Sequence, residues 1–187
     1  MRVILSSVGF ALLLVTSAVA QSQPAAGASP IVNSIKTSYT SLKNNLTKSA
    51  EMVPDAKYSF KPAGVAPEVR TFGQLIGHIA NVNSSWCGGI SGLQVTGELG
   101  PGGVDYEKIT TKAGLQKALA DSFAVCDKAF AGVNDQNGAT VTQLPMGSTT
   151  KVGGLAANNV HLAEHYGNIV TYLRTMGMVP PSSQPSK

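Results

Sequence analysis

Apolar residues recur at intervals of three and four positions along most of the chain, which is the spacing of one face of an α-helix. Polar side chains fill the positions between them. The pattern predicts four helices, over about 31–53, 71–88, 115–130 and 151–176. Each helix carries a single apolar stripe, so the four can cover one another's stripes only by packing together. The predicted fold is therefore all-α, a four-helix bundle.

Local signals mark the ends of two of these helices. Thr71 and Gln74 have the spacing of a capping box, which indicates that the second helix begins there. Gly177 and then Pro180 end the fourth helix. The connecting segments are rich in Gly, Pro or polar residues and are predicted to be loops: 57–70, 88–103 and 134–148. The stretch from Gly97 to Gly103 lacks the Lys and Ser/Thr of a phosphate loop and is expected to cover one end of the bundle.

The N-terminus has the pattern of an export signal. A single positive charge at Arg2 precedes an apolar stretch, and the sequence Ala18-Val19-Ala20 provides a small-residue cleavage site. The predicted organisation is a signal peptide (1–20), a flexible leader (21–29), the bundle (30–179) and a flexible tail (180–187). The apolar stretch is short for a membrane span, so none is expected in the mature form. The expected location is periplasmic or extracellular.

Composition and charge narrow the classes of partner. The chain has 187 residues, which fits one domain of ordinary size, and with 43% hydrophobic and only 13% charged residues it is neither disordered nor strongly solvated by charge. The net charge of +4 is spread thinly, and no two Lys or Arg residues are adjacent. Nucleic-acid binding needs clustered positive charge that neutralises phosphates. The sequence therefore argues against a nucleic-acid partner.

The chain has three histidines, and each occurs in a predicted helix. His161 and His165 are four residues apart, so they lie on one helix face about one turn apart. His78 lies at the polar edge of the apolar stripe of the second helix, and on the fourth helix His161, His165, Asn158 and Tyr172 lie along one edge of the stripe. If the two polar edges face each other across a groove, the three imidazoles line a half-buried cavity within reach of a single first-row metal ion. Calcium and magnesium prefer oxygen ligands.

Two other interpretations of these residues stay open at the level of sequence. The histidines also fit hydrogen-bonded structural residues beside a core, because periodicity alone cannot bring two helices together. Glu164 is the acidic residue closest to the pair in sequence. It lies on the outer side of His161, where it fits a solvated surface carboxylate at least as well as a catalytic base. No catalytic residue is assigned from the sequence.

The two cysteines, Cys87 and Cys126, occur on different predicted helices. In an oxidising compartment an even pair favours a disulfide, which would close a loop of about 40 residues. Two buried, unreactive thiols are the alternative. Cys87 is about half a turn around its helix from His78, so it is not expected to join the same metal site.

Longer motifs resemble those of a known family. The segments YSFKP, VRTFGQLIGHIANVN and HLAEHYGNIVTYLRTMGMVPP resemble the DinB-like (DinB/YfiT) superfamily of four-helix bundles, over nearly all of the mature chain. In that family one histidine of the second helix and an H-x-x-x-H pair of the last helix bind a divalent metal, commonly zinc or nickel. His78, His161 and His165 match those positions. The resemblance also implies homodimers.

Two classes of function compete. Three imidazoles leave a coordination position open, so one class is a metal-dependent enzyme that acts on a small molecule in the groove. It would be a hydrolase or, as the resemblance implies, a transferase of low-molecular-weight thiols. The other is a non-catalytic metal-binding or interaction protein. Export distinguishes this chain from the better-known cytoplasmic members, whose thiol cosubstrates, such as bacillithiol and mycothiol, are cytoplasmic.

Overall fold

Four α-helices form the protein in a computed structural model that describes residues 29–95 and 97–185. They are α1 (Pro30–Met52), α2 (Phe72–Ile90), α3 (Lys112–Gly132) and α4 (Lys151–Thr175). The predicted four-helix bundle is confirmed, with helix ends within three residues of those expected. The predicted signal peptide and nearly all of the leader lie outside the described residues. No helix in the described ranges combines the length and hydropathy needed to cross a membrane.

Helix α2 is the centre of the bundle. It packs against both α3 and α4, and every residue from Leu75 to Ile90 except His78 is buried. Helix α1 packs across α3 and α4 and closes the core. The largest fully buried side chains come from all four helices and include Tyr39, Leu46, Phe72, Ile76, Ile79, Leu119, Phe123, Leu155, Leu162 and Ile169. Burying each of the aliphatic and Phe side chains stabilises the fold by roughly 1.5–3 kcal/mol before entropy is counted.

The predicted capping box fixes the start of α2. The Thr71 hydroxyl oxygen accepts a hydrogen bond from the Gln74 backbone N–H at 3.2 Å, and Gln74 Oε1 accepts one from the Thr71 N–H at 2.8 Å. Two backbone donors that the helix leaves free are thereby satisfied. The box sets where the helix begins, and His78 lies two turns later.

The segment 134–148 contains more structure than the expected loop. Strand β1 (Val141–Leu144) pairs antiparallel with β2 (Gly147–Thr150), with Leu144 opposite Gly147. Only Leu144 is buried in this hairpin, against α2 and α4 at Gly89 and Gly154. A strand that buries one side chain shows no alternating pattern, so the composition alone indicated a loop.

The Gly-rich connection also differs from the expectation. Residues 97–109, here called the strap, lie along the side of α2 instead of covering one end of the bundle. Ser85 Oγ donates to the Gly97 carbonyl at 2.6 Å, and the Tyr106 N–H donates to Asn81 Oδ1 at 2.9 Å. The strap includes two short 3₁₀ turns, at Pro101–Gly103 and Tyr106–Lys108. The polar edge of α2 that holds His78 therefore also holds the strap.

The chain after α4 is docked where a loose tail was expected, as far as it is described. Pro181–Ser183 forms a 3₁₀ turn, and Pro180 is buried. Tyr166 donates its hydroxyl to Ser182 Oγ at 2.9 Å and accepts from the Ser182 N–H at 3.0 Å. These bonds return the chain to the α4 surface.

The two cysteines join α2 to α3. Cys87 and Cys126 lie at disulfide distance, with Cα atoms 4.9 Å apart, and both are fully buried. Their side chains lie beside a buried polar cluster in which Asn158 Nδ2 donates to Asn83 Oδ1 at 3.1 Å. The pair closes a loop with a sequence separation of 39 residues.

We expect the Cys87→Ala/Cys126→Ala variant to unfold with a free energy about 3–4 kcal/mol lower than the oxidised protein, because the link restricts the unfolded chain. Denaturant unfolding, with and without reductant, measures the difference, and reductant should leave the double variant unchanged. A thiol assay on the oxidised, denatured wild type should detect no free thiol. Two reactive thiols there would contradict the disulfide.

Candidate metal centre

The three histidines meet where α2 passes α4. His161 Nε2 lies 3.1 Å from His78 Nε2, and one nitrogen from each of the three rings lies within 4.8 Å of the other two. The ring centroids are 4.3–5.1 Å apart. His165 is buried, and the other two rings are partly buried, with 14% of the His78 side chain exposed. The structure thus brings together the residues that the sequence placed on two separate helices.

The outward nitrogens of two rings have polar neighbours. His78 Nδ1 lies 3.1 Å from Glu107 Oε1, and His165 Nδ1 lies 3.4 Å from the side-chain amide of Asn168. His161 Nδ1 is buried and has no hydrogen-bond partner among the described residues. For His78 and His165 these contacts engage the Nδ1 side of the ring. The Nε2 atoms are then left for the centre of the cluster.

The environment keeps these imidazoles neutral. Burial, followed by the neighbouring histidines, lowers the pKa of His161 to about 3. Burial and then His78 lower the pKa of His165 to about 4. The pKa of His78 is also lowered, by burial and the Arg70 charge, although the Glu107 carboxylate acts in the opposite direction. A neutral imidazole carries the lone pair that a metal ligand needs.

The donor set fits a borderline transition metal. A tetrahedral zinc site with Zn–N bonds of about 2.0–2.1 Å places its nitrogens about 3.3–3.4 Å apart. The 3.1 Å between Nε2 of His78 and Nε2 of His161 is close to that value, and a ring nitrogen of His165 lies within 4.8 Å of both rings' ligand atoms. Three nitrogen ligands suit zinc or nickel, and they leave at least one coordination position open.

Two neighbouring side chains were not identified from the sequence. Glu107, on the strap, contacts His78 and is paired with Arg70, whose Nε donates to Oε2 at 2.8 Å. The Trp86 ring lies 5.5 Å from that of His161 between centroids, and its buried Nε1 has no partner in the described part of the chain. Glu107 follows a Gly-rich stretch with no periodicity, so nothing in the pattern indicated its position.

Two other residues that are close to the histidines in sequence differ in their environments. Glu164 is exposed on α4, as expected for a solvated carboxylate. Asn158 was expected beside the histidine pair, but its amide is fully buried and contacts Asn83 and the sulfur of Cys126. Asn158 lies about one turn before His161 on α4, and its side chain faces the contact between α2 and α3.

Comparison with known proteins identifies the family. A sequence model described as the DinB superfamily matches residues 39–169. The chain belongs to the DinB superfamily. No curated protein matches it.

Solved structures share the fold of this DinB-superfamily chain. A DinB-like protein from Bacillus cereus superposes with a TM-score of 0.64 at 19% identity, over 80% of this chain and 95% of that one. A mycothiol-dependent maleylpyruvate isomerase and a mutant of it each superpose with a TM-score of 0.58, at 13% and 14% identity. Each alignment covers 74% of this chain and 60% of the isomerase chain. These likenesses concern the fold.

In the metal-free protein, we expect stability to fall as the pH drops below about 6.5. The pKa values of His161 and His165 are lower folded than unfolded, so the unfolded chain binds protons first. The stability that these two neutral histidines contribute is fully present above about pH 6.5 and is lost as the pH falls towards 3–4. Urea unfolding with chelator at pH 7 and pH 5 should show a loss on the order of 2 kcal/mol beyond that of the His161→Gln/His165→Gln variant. Equal pH dependence of the two proteins would contradict this account.

Proposed function

We propose that this protein is an exported member of the DinB superfamily that binds one divalent metal ion, zinc or nickel, through His78, His161 and His165. The observation that carries the proposal is the convergence of three neutral imidazoles, with one nitrogen of each within 4.8 Å of the others. Structural zinc sites are usually closed by four protein ligands, often Cys. Three histidine ligands leave a position for another molecule.

The open position favours catalysis on a small molecule, as a metal-dependent hydrolase or transferase. A divalent metal held there would supply a Lewis acid that lowers the pKa of a bound water or thiol. The chain's own contribution is to hold three imidazoles neutral and to limit the access of water by packing Trp86 beside His161. The buried N–H of Trp86, without an acceptor among the described residues, offers a hydrogen bond to an oxygen of a ligand.

A second candidate is metal binding without turnover, and the state of the nearby carboxylates favours it. Hydrolysis needs a positioned base. Glu107 is engaged by Arg70 and His78, and Glu164 is exposed. Thiol transfer needs no such base, but the mycothiol dependence belongs to the isomerase, and an exported chain would be separated from cytoplasmic thiols.

Small ligands distinguish these two candidates. With Co²⁺ in place of the native metal, azide or a small thiol should change the visible absorption spectrum if the fourth position is exchangeable. An unchanged spectrum at saturating ligand would favour the non-catalytic role and would direct the search towards protein partners.

Export is part of the proposal, and two features support it. The first is the signal-like sequence of residues 1–20. The second is the pair Cys87 and Cys126 at disulfide distance, because disulfides persist mainly in oxidising compartments. N-terminal sequencing of the protein from the extracytoplasmic fraction should begin at Gln21.

We expect the untagged mature protein to contain about one zinc or nickel ion per chain, and the His161→Ala/His165→Ala variant to contain almost none. Elemental analysis measures this. Glu164→Gln is the matched control, because it changes an exposed residue between the two histidines on the same helix. Its metal content should equal that of the wild type.

The single tryptophan gives an independent measurement of the same event. Trp86 lies beside His161, so Ni²⁺ should quench its emission in proportion to occupancy. The double histidine variant should show no saturable quenching. Failure of the wild type to bind added zinc or nickel would overturn the proposal and leave three structural histidines.

A further inference from the structure

We propose that Glu107 is a positioning residue for the metal site: its carboxylate, delivered by the strap, fixes His78 with Nε2 facing the other two histidines. The inference rests on the proposed function, since it concerns the same three histidines. It adds a fourth side chain, that of Glu107, to the site, and the docked backbone of the strap that holds it. Neither the helix pattern nor the family motifs contain these features.

Both carboxylate oxygens of Glu107 are held in place. Oε1 lies 3.1 Å from His78 Nδ1 and accepts a hydrogen bond from Arg70 Nη2 at 3.2 Å. Oε2 accepts from Arg70 Nε at 2.8 Å. A carboxylate paired with Arg is ionised and can only accept hydrogen bonds. His78 must therefore carry its proton on Nδ1, which leaves the lone pair on Nε2 for the metal.

The strap is docked at the level of His78. Asn81 binds it with both atoms of its amide: Oδ1 accepts from the Tyr106 N–H at 2.9 Å, and Nδ2 donates to Asp105 Oδ1 at 3.0 Å. Asp105 Oδ1 also accepts from the Glu107 N–H at 3.0 Å. These bonds fix the backbone on both sides of Tyr106. The Glu107 side chain, which follows Tyr106, therefore has little freedom to move away from His78.

A glycine of α2 makes this docking sterically feasible. A methyl group added at Gly77 would lie 2.5 Å from the Tyr106 carbonyl oxygen and 2.8 Å from the Glu107 Cα. Such contacts are far inside van der Waals range. Gly77 directly precedes His78, and Tyr106 directly precedes Glu107. The same close approach of two backbones therefore places the carboxylate beside the imidazole.

The three histidines differ in their outer contacts. His78 has a carboxylate at Nδ1, His165 has the neutral amide of Asn168, and His161 has no partner among the described residues. Carboxylate partners of this kind hold a ligand's tautomer and orientation and raise its basicity. Glu107 is the one carboxylate that contacts the triad within the ranges 29–95 and 97–185.

The first test compares zinc affinity in the wild type and in Glu107→Ala and Glu107→Gln, by competition with a chromophoric chelator. We expect Glu107→Ala to bind zinc about 10- to 100-fold more weakly. Glu107→Gln should fall between the two, because its amide oxygen can still accept from Nδ1. Glu164→Gln removes the same charge from an exposed site and should bind zinc like the wild type, which excludes a general loss of negative charge.

A spectroscopic measurement separates positioning from stability. The Co²⁺ form of Glu107→Ala should show a visible absorption spectrum of different shape, since one ring is no longer held in place. A purely structural role would lower the thermal midpoint of the metal-free protein and leave the spectrum and the affinity of the folded fraction unchanged.

The second test moves the strap without changing a polar group. Gly77→Ala should weaken zinc binding as Glu107→Ala does, because the strap must shift. Gly167→Ala is its control, because that position of α4 has open space around the added methyl group. It should leave zinc binding unchanged. If Gly77→Ala does not fold, the zinc affinities and spectra of Glu107→Ala and Glu107→Gln test the positioning role on their own.

The outcomes distinguish this inference from the proposed function. If the wild type binds no zinc or nickel, the metal site itself is wrong. If the wild type binds metal and Glu107→Ala matches it in affinity and spectrum, only the positioning role is overturned.

Discussion

The packing of α2 against α4 sets the distance between His78 and the pair formed by His161 and His165. The helices can approach closely because apolar side chains on either side of the histidines are fully buried, among them Ile79 and Leu162. This contact also excludes water from the rings, which lowers their pKa values. Core packing therefore has a chemical consequence, because the burial that closes the bundle also favours the neutral form of the three imidazoles.

Such a site lowers the stability of the metal-free fold. The buried His161 Nδ1 and Trp86 Nε1 have no hydrogen-bond partner among the described residues, so each loses a hydrogen bond to water that this part of the fold does not replace. Two interactions close to the site, a helix cap and a cysteine pair, raise the stability of the same helix. The capping box at Thr71 begins α2 before the site, and the cysteine pair at Cys87 follows it. The helix that carries His78 is thus held on both sides of the destabilising groups.

The sequence predicted those features whose cause is local or periodic. The four stripes predicted the bundle, and the spacing of Thr71 and Gln74 predicted the cap. The spacing of four residues predicted that His161 and His165 lie on one face of the last helix. A helical wheel could not show which neighbour each edge meets, so Asn158 was placed with the histidines, although its amide contacts Asn83. The hairpin buries one side chain, Leu144, and left no pattern to detect.

Glu107 was beyond prediction for a different reason. Its place beside His78 depends on a non-periodic path, fixed by Asn81 and by the absence of a side chain at Gly77. Neither feature is visible before the two segments are seen in contact. The bundle itself is shared with structures at 13–19% identity, so it tolerates very different sequences. A connection between helices has fewer packing constraints than the helices themselves. The surroundings of the three histidines can therefore be adjusted from the strap, which reaches the proposed metal site without altering the core.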